Sequence, residues 1–336
     1  MLIPLTTANF AQFTVNGIVT GSMYALVAVG FGMIIHIAHR FHFAYGAIYA
    51  LTAFLAAQLQ TSFGWTFIAG LIVATLCGVV IAVAAETVVY APLAARVGHQ
   101  ERALFPVFVA SLGISTSIEA VINLVWPNPV TTTVGVSPVQ IGSVNVTSLS
   151  VEAVIVTWVL VLLVAGVIRW TPLGRMIRAV RVNAPLSIDY GIRPGAMYAI
   201  VFAIGTTLGG VGAVFLAAQS APQSDMGDNL VLYAITAAFI AGAARSPSII
   251  ALLALAMGII QSWSLFVVSS TWSQLVIFAI LLIFIAVKAA RAVNWRRLAS
   301  GRRPRQGRPL PSVSQVPGQR EPDAGAVASK LRSLES

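Results

Sequence analysis

The chain is a succession of long apolar runs separated by short polar breaks. Runs long enough to cross roughly 30 Å of hydrocarbon fall at about Val15 to Ile37, Phe41 to Leu59, Trp65 to Val89, Ala103 to Val125 and Val151 to Ile168. Four more follow, at about Met197 to Ala218, Leu230 to Ala243, Ile249 to Val268 and Trp272 to Val287. The pattern predicts an all-α, polytopic membrane protein of about nine spans, or eight if the short run from Leu230 does not cross. Cytoplasmic loops carry an excess of Lys and Arg, which tests the count. Arg40, Arg96 with Arg102, the arginines between 169 and 193, Arg245 and the tail after Lys288 form one set. The alternate loops, at Gln60 to Gly64, Trp126 to Ser150, Gln219 to Asn229 and Ser269 to Thr271, have no Lys or Arg. Nine spans make the two sets alternate, with the N-terminus outside and the C-terminus in the cytoplasm.

The break between the fifth and sixth runs is the longest amphipathic one. Thr171 can cap a helix whose first residue is Pro172. At 100° per residue Leu173, Met176, Ile177, Val180 and Ala184 share one face, opposite Arg175, Arg178 and Arg181. Pro185 should break this helix, with one more turn over Leu186 to Tyr190 before Gly191 closes it in the left-handed conformation. A basic amphipathic helix of this kind either rests on anionic headgroups or docks its apolar ridge on a soluble partner. On physical grounds alone the lipid surface is favoured.

Composition agrees with the run pattern. Of 336 residues 58% are hydrophobic and 9% charged, which excludes a pair of soluble domains. The net charge of +10 gathers in loops and tail, as orientation signals do, so nucleic acid is set aside. The single cysteine, Cys77, lies in an apolar run and is expected to pack, with no disulfide framework or Cys-based metal site. The expected organisation is an N-terminal segment 1–14, a transmembrane domain 15–292 with a cytoplasmic loop 169–196, and a disordered basic tail 293–336 whose Arg, Pro, Gly and Ser cannot bury enough to fold. In the loop after the fourth run, Val134 to Val136 and Val139 to Val146 could pair as a hairpin.

No enzyme site is visible. Only two lysines exist, Lys288 and Lys330, and no Gly-x-x-x-x-Gly-Lys cradle is present. His36, His39 and His42 recur every third residue around Arg40, a spacing conceivable for a metal, but no Cys or carboxylate stands nearby and interfacial anchoring is preferred. Glu86 and Glu152 stand near span ends, where they can snorkel or cap. Glu119 falls within a run, with Ser111, Ser115 and Thr116 before it and Asn123 after it. Intramembrane acids are costly, so this stripe either lines a wet path or is a hydrogen-bonded packing feature. The glycines of the first span (Gly17, Gly21, Gly30, Gly32) and of the sixth (Gly205, Gly209, Gly210, Gly212) permit close crossings. Gly21-Ser-Met-Tyr-Ala-Leu-Val-Ala-Val-Gly30 is echoed by Gly195-Ala-Met-Tyr-Ala-Ile-Val-Phe-Ala-Ile-Gly205 in a span of opposite direction, as an inverted repeat would be.

Thr171-Pro-Leu-Gly-Arg-Met-Ile-Arg-Ala-Val180, followed by Asn183 and Gly191-Ile192, resembles the coupling loop of branched-chain amino acid type ABC importer permeases. Asn16-Gly17, Gly21-Ser22-Met-Tyr24-Ala-Leu26 and Gly30 are similar to that family's opening. Phe43-Ala44-Tyr45-Gly46 stands where the family carries Asn-Phe-Ala-His-Gly-Glu, and Glu86-Thr87, Tyr90 and Pro92-Leu93 match a further signature. The departures are His42, Tyr45 and Ala47 in place of Asn, His and Glu, and Ala241 to Ser246 in place of a glycine-rich turn. The resemblance implies a permease subunit in a bacterial inner membrane, moving branched-chain or other hydrophobic amino acids, or a related amide such as urea, by alternating access. Its partners would be a second permease, equal or paralogous, two cytoplasmic ATPase subunits that bind the ATP and Mg, and a periplasmic or surface solute-binding protein. This chain itself would carry no cofactor. The ATPase would couple through Leu173, Gly174, Arg175, Met176, Ile177, Arg178, Val180 and Gly191, which turns the balance from lipid to docking. The path would involve Ser22, Tyr24, His42, Tyr45, Ser115, Glu119 and Asn123. The rivals are an autonomous carrier or channel for a small polar solute, coupled through Glu119, and a membrane scaffold that recruits a soluble protein.

Overall fold

The computed structural model describes residues 7–97, 100–128, 130, 137–141, 144–242 and 246–266, with separate helical positions between 272 and 287. The chain divides at Ala286, and all that follows concerns the part before that point. The ninth predicted span, Arg245, Val134 to Val136 and the tail 293–336 lie wholly or mostly outside the described residues.

The first helix, α1 (Thr7–Met33), runs into a π-helical turn at Ile34–Ala38. The chain then breaks at His39, whose φ of 51° is in the left-handed region, and re-enters as α2 (Tyr45–Phe63). A second π-helical turn, Ala85–Tyr90, joins α3 (Phe67–Ala84) to α4 (Ala91–Val97), and α5 spans Gln100–Val125. Strands β1 (Pro138–Ile141) and β2 (Val144–Thr147) precede α6 (Ser148–Trp170), and the polar break becomes α7 (Pro172–Val182) and α8 (Ala184–Asp189). Then come α9 (Pro194–Gln219), α10 (Met226–Ala241) and α11 (Pro247–Ser264). Among the described residues six helical stretches are long and apolar enough to cross a membrane: Asn9–Ala38, Phe67–Val97, Ala103–Val125, Ser148–Trp170, Pro194–Gln219 and Pro247–Ser264.

Two predicted spans behave differently. Helix α10 is shorter, at 16 residues. Helix α2 has the length but carries Tyr45, Tyr49, Thr52, Gln58 and Gln60, and it sits inside the protein against α3, α5, α9 and α10. A helix walled by protein can hold such groups where a lipid-facing one could not. By contrast α3, α5 and α6 turn large apolar side chains outward, among them Ile68, Ile72, Leu76, Leu124, Ile155 and Leu162. Cys77 shares this outward side, so it does not pack as expected.

Helix α1 packs along α11 and also touches α6, α9 and α10. Its crossing with α9 depends on glycine, because a Cβ on Gly205 would lie 2.8 Å from the Gly30 carbonyl oxygen. The two helices run in opposite directions: the start of α1 bonds β2 through Gln12 and Asn145, while the end of α9 reaches Ser150 through Gln219. Tyr24 and Tyr198, equivalent in the sequence echo, accordingly fall toward opposite ends.

Helix α1 begins at Thr7, two turns before the apolar run, and Gln12 bonds the backbone of Asn145 on both sides, at 2.9 and 3.0 Å. Three expectations are corrected. The β-hairpin is formed almost entirely within the second of the two expected strands, pairing Val139 with Val146 and Ile141 with Val144, with Pro138 and Thr147 one residue beyond it. The break in the basic segment comes at Asn183, two residues before Pro185. Asn183 ends α7, and its Oδ1 accepts from Leu186 N at 3.0 Å to cap α8, so Pro185 falls harmlessly in the first turn of α8. Finally, Arg40 is not a solvent-facing loop residue and Glu86 neither snorkels nor caps: both are buried, and they pair with each other.

Candidate functional site

At the end that carries the β-hairpin, α1, α6, α9 and α11 leave a cavity of about 470 Å³ bordered by Asn16, Asn145, Thr147, Ser150 and Gln219. A deeper cavity of about 230 Å³ shares Val19, Thr20, Gln219 and Gln261 with it and extends toward α10. The walls of the deeper one alternate Val19, Met23, Leu216, Met226 and Leu230 with Thr20, Tyr24, Asn229 and Tyr233. At roughly 30 Å³ per water, it holds a solute worth a handful of waters. One amide orders this space. Gln261 accepts from the Tyr24 hydroxyl at 2.7 Å and donates to the Tyr233 hydroxyl at 3.4 Å, and the two rings lie 4.5 Å apart by centroid. Every side chain lining the deeper cavity is uncharged. It can therefore offer hydrogen bonds and apolar contact to a solute without binding it as tightly as fixed charges would.

The expected path residues do not share this place. Tyr24 does. Ser22, two residues earlier on the helix, faces α6, where it accepts from Trp158 Nε1 at 3.2 Å. Ser115 donates to Glu119 at 3.0 Å, and Glu119 is half-buried and interacts electrostatically with Asp228 at the start of α10. Asn123 and Thr116 are exposed on α5, so the stripe is not one continuous lining. Ser111 instead fastens the break between α1 and α2, accepting from Phe43 N and donating to the Phe41 carbonyl, both at 3.1 Å.

His42 and Tyr45 belong to a buried cluster at that break. Arg40 Nε and Glu86 Oε2 are 3.5 Å apart, with Arg40 6% and Glu86 1% exposed. The guanidinium also lies over the Tyr198 ring, 5.8 Å from its centroid. His42 Nδ1 is 3.0 Å from the Tyr90 hydroxyl, its ring packs on Phe202, and Tyr45 donates to the Gly205 carbonyl at 2.9 Å. The π turn that holds Glu86 and Tyr90 thus faces the end of the turn that leads to Arg40 and His42. The histidine triplet is divided among different partners, since His36 Nε2 lies 3.1 Å from the Ala238 carbonyl.

The basic segment folds as a helical hairpin. Thr171 Oγ1 accepts from Gly174 N at 3.1 Å, Pro172 opens α7, and Gly191 closes the hairpin at φ +76°. Its apolar ridge, however, is already occupied. Ile177 is fully buried and Val180 nearly so, with Leu173 and Met176 half-buried against the same core, and Gly174 is pressed onto the end of α6, where Ile168 O would collide with any Cβ. Gly174, Ile177 and Val180 thus face the chain's own bundle. The exposed groups include Arg175 and a second apolar set, Val182, Leu186, Ile188 and Tyr190, the last four each at least half exposed.

Two signals in the sequence mark these features. Gln261 lies inside the eighth apolar run, where an amide without a partner is costly, the same kind of signal that Glu119 gives in the fourth. Val182, Leu186, Ile188 and Tyr190 are large apolar residues in a polar loop, a pattern that points outward once another stripe supplies the inward face.

Comparison with known proteins covers the same span as this architecture. Residues 13–286 match the family model described as the permease component of branched-chain amino acid transport systems. The high-affinity branched-chain amino acid transport system permease protein LivH of Escherichia coli K12 is 24% identical over 294 residues, 83% of this chain and 93% of that protein. BraD of Pseudomonas aeruginosa, of the same description, is 26% identical over 291 residues, 82% of this chain and 92% of its own length. No solved structure matches.

Proposed function

The chain belongs to the family of permease components of branched-chain amino acid transport systems, and we propose that it is the membrane subunit of an ATP-binding cassette importer for a branched-chain or similar hydrophobic amino acid. The carrying observation is the uncharged, half-apolar cavity around Tyr24, Tyr233 and Gln261. A weak site of that composition suits a subunit that receives its solute from a separate binding protein and must let it go. In this reading the hairpin end faces outward and the α7–α8 hairpin faces the cytoplasm. ATP and Mg are held by a separate pair of ATPase subunits that dock on Arg175, Val182, Leu186, Ile188 and Tyr190, and a second permease completes the path. The buried ridge Leu173, Met176, Ile177 and Val180 passes motion of the docked helix into the bundle. Urea has no particular support in this cavity, whose apolar walls favour a solute with an alkyl side chain.

The test is uptake of labelled leucine into proteoliposomes holding the permease pair with its ATPase and binding protein. Uptake should require ATP and fall about tenfold or more in Gln261→Leu, which removes both hydrogen bonds at the cavity floor, with membrane insertion intact. Leucine uptake that proceeds without ATP or ATPase returns the chain to the autonomous carriers. Wild-type uptake in Gln261→Leu moves the path away from this cavity.

A further inference from the structure

At the end opposite the β-hairpin a cavity of about 280 Å³ opens between α1, α6, α7 and α11. Its floor is apolar, made by Met33, Ile37, Ala165, Ile168 and Ile250, and Arg169, Arg178 and Arg181 stand around it with His36, Ser246 and Ser248. No carboxylate lines it. Among the described residues the one ion pair is Arg40 with Glu86, so none of these three arginines is neutralised by a described acid. Arg178 is fixed by donating Nη1 to the Ile168 carbonyl, which leaves its other N–H groups for a ligand. Arg181 stands close enough to His36 for the two to interact electrostatically. Cations gathered around one hollow repel one another, and a shared anion with several acceptor oxygens turns that repulsion into charge-assisted hydrogen bonds.

We propose that this cavity binds the phosphate headgroup of an anionic phospholipid. Its depth decides between sources of phosphate. Arg169 is in the last turn of the span α6, and the next residue, Trp170, is 75% exposed, the placement of an interfacial anchor. The basic rim therefore lies at headgroup level. The apolar floor continues the sides of two membrane spans, so the first carbons of an acyl chain have a wall to follow. A free phosphate would use the rim and leave that floor wet. The occupant would sit beneath α7, between the buried Ile177 and the start of α11, where it ties the basic hairpin to the bundle.

The experiment uses the purified full-length chain in detergent with added phosphatidylglycerol or phosphatidylcholine, read by thermal unfolding and by native mass spectrometry of retained lipid. Phosphatidylglycerol should raise the melting temperature and persist as a bound adduct, and phosphatidylcholine should do neither. Arg169→Gln/Arg181→Gln should weaken phosphatidylglycerol binding about tenfold or more, with the melting temperature in phosphatidylcholine unchanged. Arg175→Gln/Arg193→Gln, which removes equal charge from exposed positions off the cavity, should keep wild-type binding. Arg181→Gln alone supplies an intermediate loss if the double variant is not recovered. Equal affinity in wild type and the cavity variants, or equal loss in both double variants, overturns the site. Full stabilisation by inorganic phosphate at the same concentration assigns it to a free anion instead. An ATPase subunit that displaces the lipid and needs the same arginines assigns it to a protein carboxylate.

Discussion

Removing one partner of the Arg40–Glu86 pair should have consequences that depend on which partner goes. At 3.5 Å and an effective dielectric near 20, the mutual attraction is about 5 kcal/mol. Desolvation offsets much of it, so replacing both groups by apolar side chains of similar volume should be nearly neutral, while leaving one of them alone should cost about 3–5 kcal/mol. The two single variants are not equivalent. In Glu86→Leu the guanidinium cannot shed its proton and keeps only the face of Tyr198, about 0.5–2 kcal/mol of cation–π attraction. In Arg40→Met the stranded carboxylate can take up a proton and become neutral. Neither Glu86 oxygen has a hydrogen-bond partner among the described residues, so nothing else holds its charge.

The assay is a double-mutant cycle on detergent-solubilised protein, followed by thermal or denaturant unfolding at two pH values. Glu86→Leu should lose roughly 10 °C in melting temperature at either pH. Arg40→Met should lose less, and less again at the lower pH, where protonation is easier. Arg40→Met/Glu86→Leu should regain most of the loss, giving a coupling energy of about 3 kcal/mol between the sites. Additive single effects would refute the pairing. A pH-dependent Glu86→Leu with a pH-independent Arg40→Met would refute the charge argument even if the cycle showed coupling.

Other outcomes follow from the same contacts. Ile177→Asp should cut the yield of folded protein, since it places a charge in a fully buried site, whereas Ile188→Asp or Tyr190→Asp should leave the melting temperature within about 1 °C and abolish copurification of an ATPase subunit. In a Cys77→Ser background, cysteines at Ser137 and Asp189, both exposed, should react with an impermeant maleimide from opposite sides of the membrane, and same-side labelling would break the span count between them. Ser187, although in the same hairpin, is 2% exposed and should label poorly in the folded protein. Gly205→Ala should lower stability by about 1–3 kcal/mol, because its Cβ meets the Gly30 carbonyl, while Gly195→Ala, with nothing nearby, should be neutral.

What could be read in advance follows the range of the forces involved. The spans were legible because hydrophobic matching to a bilayer is decided by residues consecutive in sequence. The Thr171–Pro172 start and the Gly191 stop were legible because caps act over three or four residues. Contacts between distant segments were not. Tyr24 and Gln261 are separated by 237 positions, and neither carries a mark that names the other. The π turns that bring Arg40 to Glu86 leave no periodic trace, and Arg40 counted by charge alone looked like a loop marker. The basic hairpin shows the limit most clearly. Periodicity found the stripe of Leu173, Met176, Ile177 and Val180 but could not say what covers it, and the cover proves to be the protein's own core.

That cover also supplies the hairpin with a path inward. Helix α7 touches α6, α9 and the π turn Ile34–Ala38, and that turn leads within two residues to Arg40. Arg40 reaches Glu86 in the second π turn and Tyr198 near the start of α9, while Tyr45, just past the break, holds the Gly205 carbonyl. A π turn has one residue more than the helix around it needs and can be lost or gained with little change in its ends. A pull on α7 therefore meets an adjustable segment, a buried pair that resists separation, and a glycine crossing that allows α1 to slide on α9. If the route carries motion, Arg40→Met/Glu86→Leu, which keeps the fold, should lower the uptake obtained per ATP hydrolysed while leaving ATPase docking intact. Unchanged stoichiometry in that variant would confine the pair to a structural role.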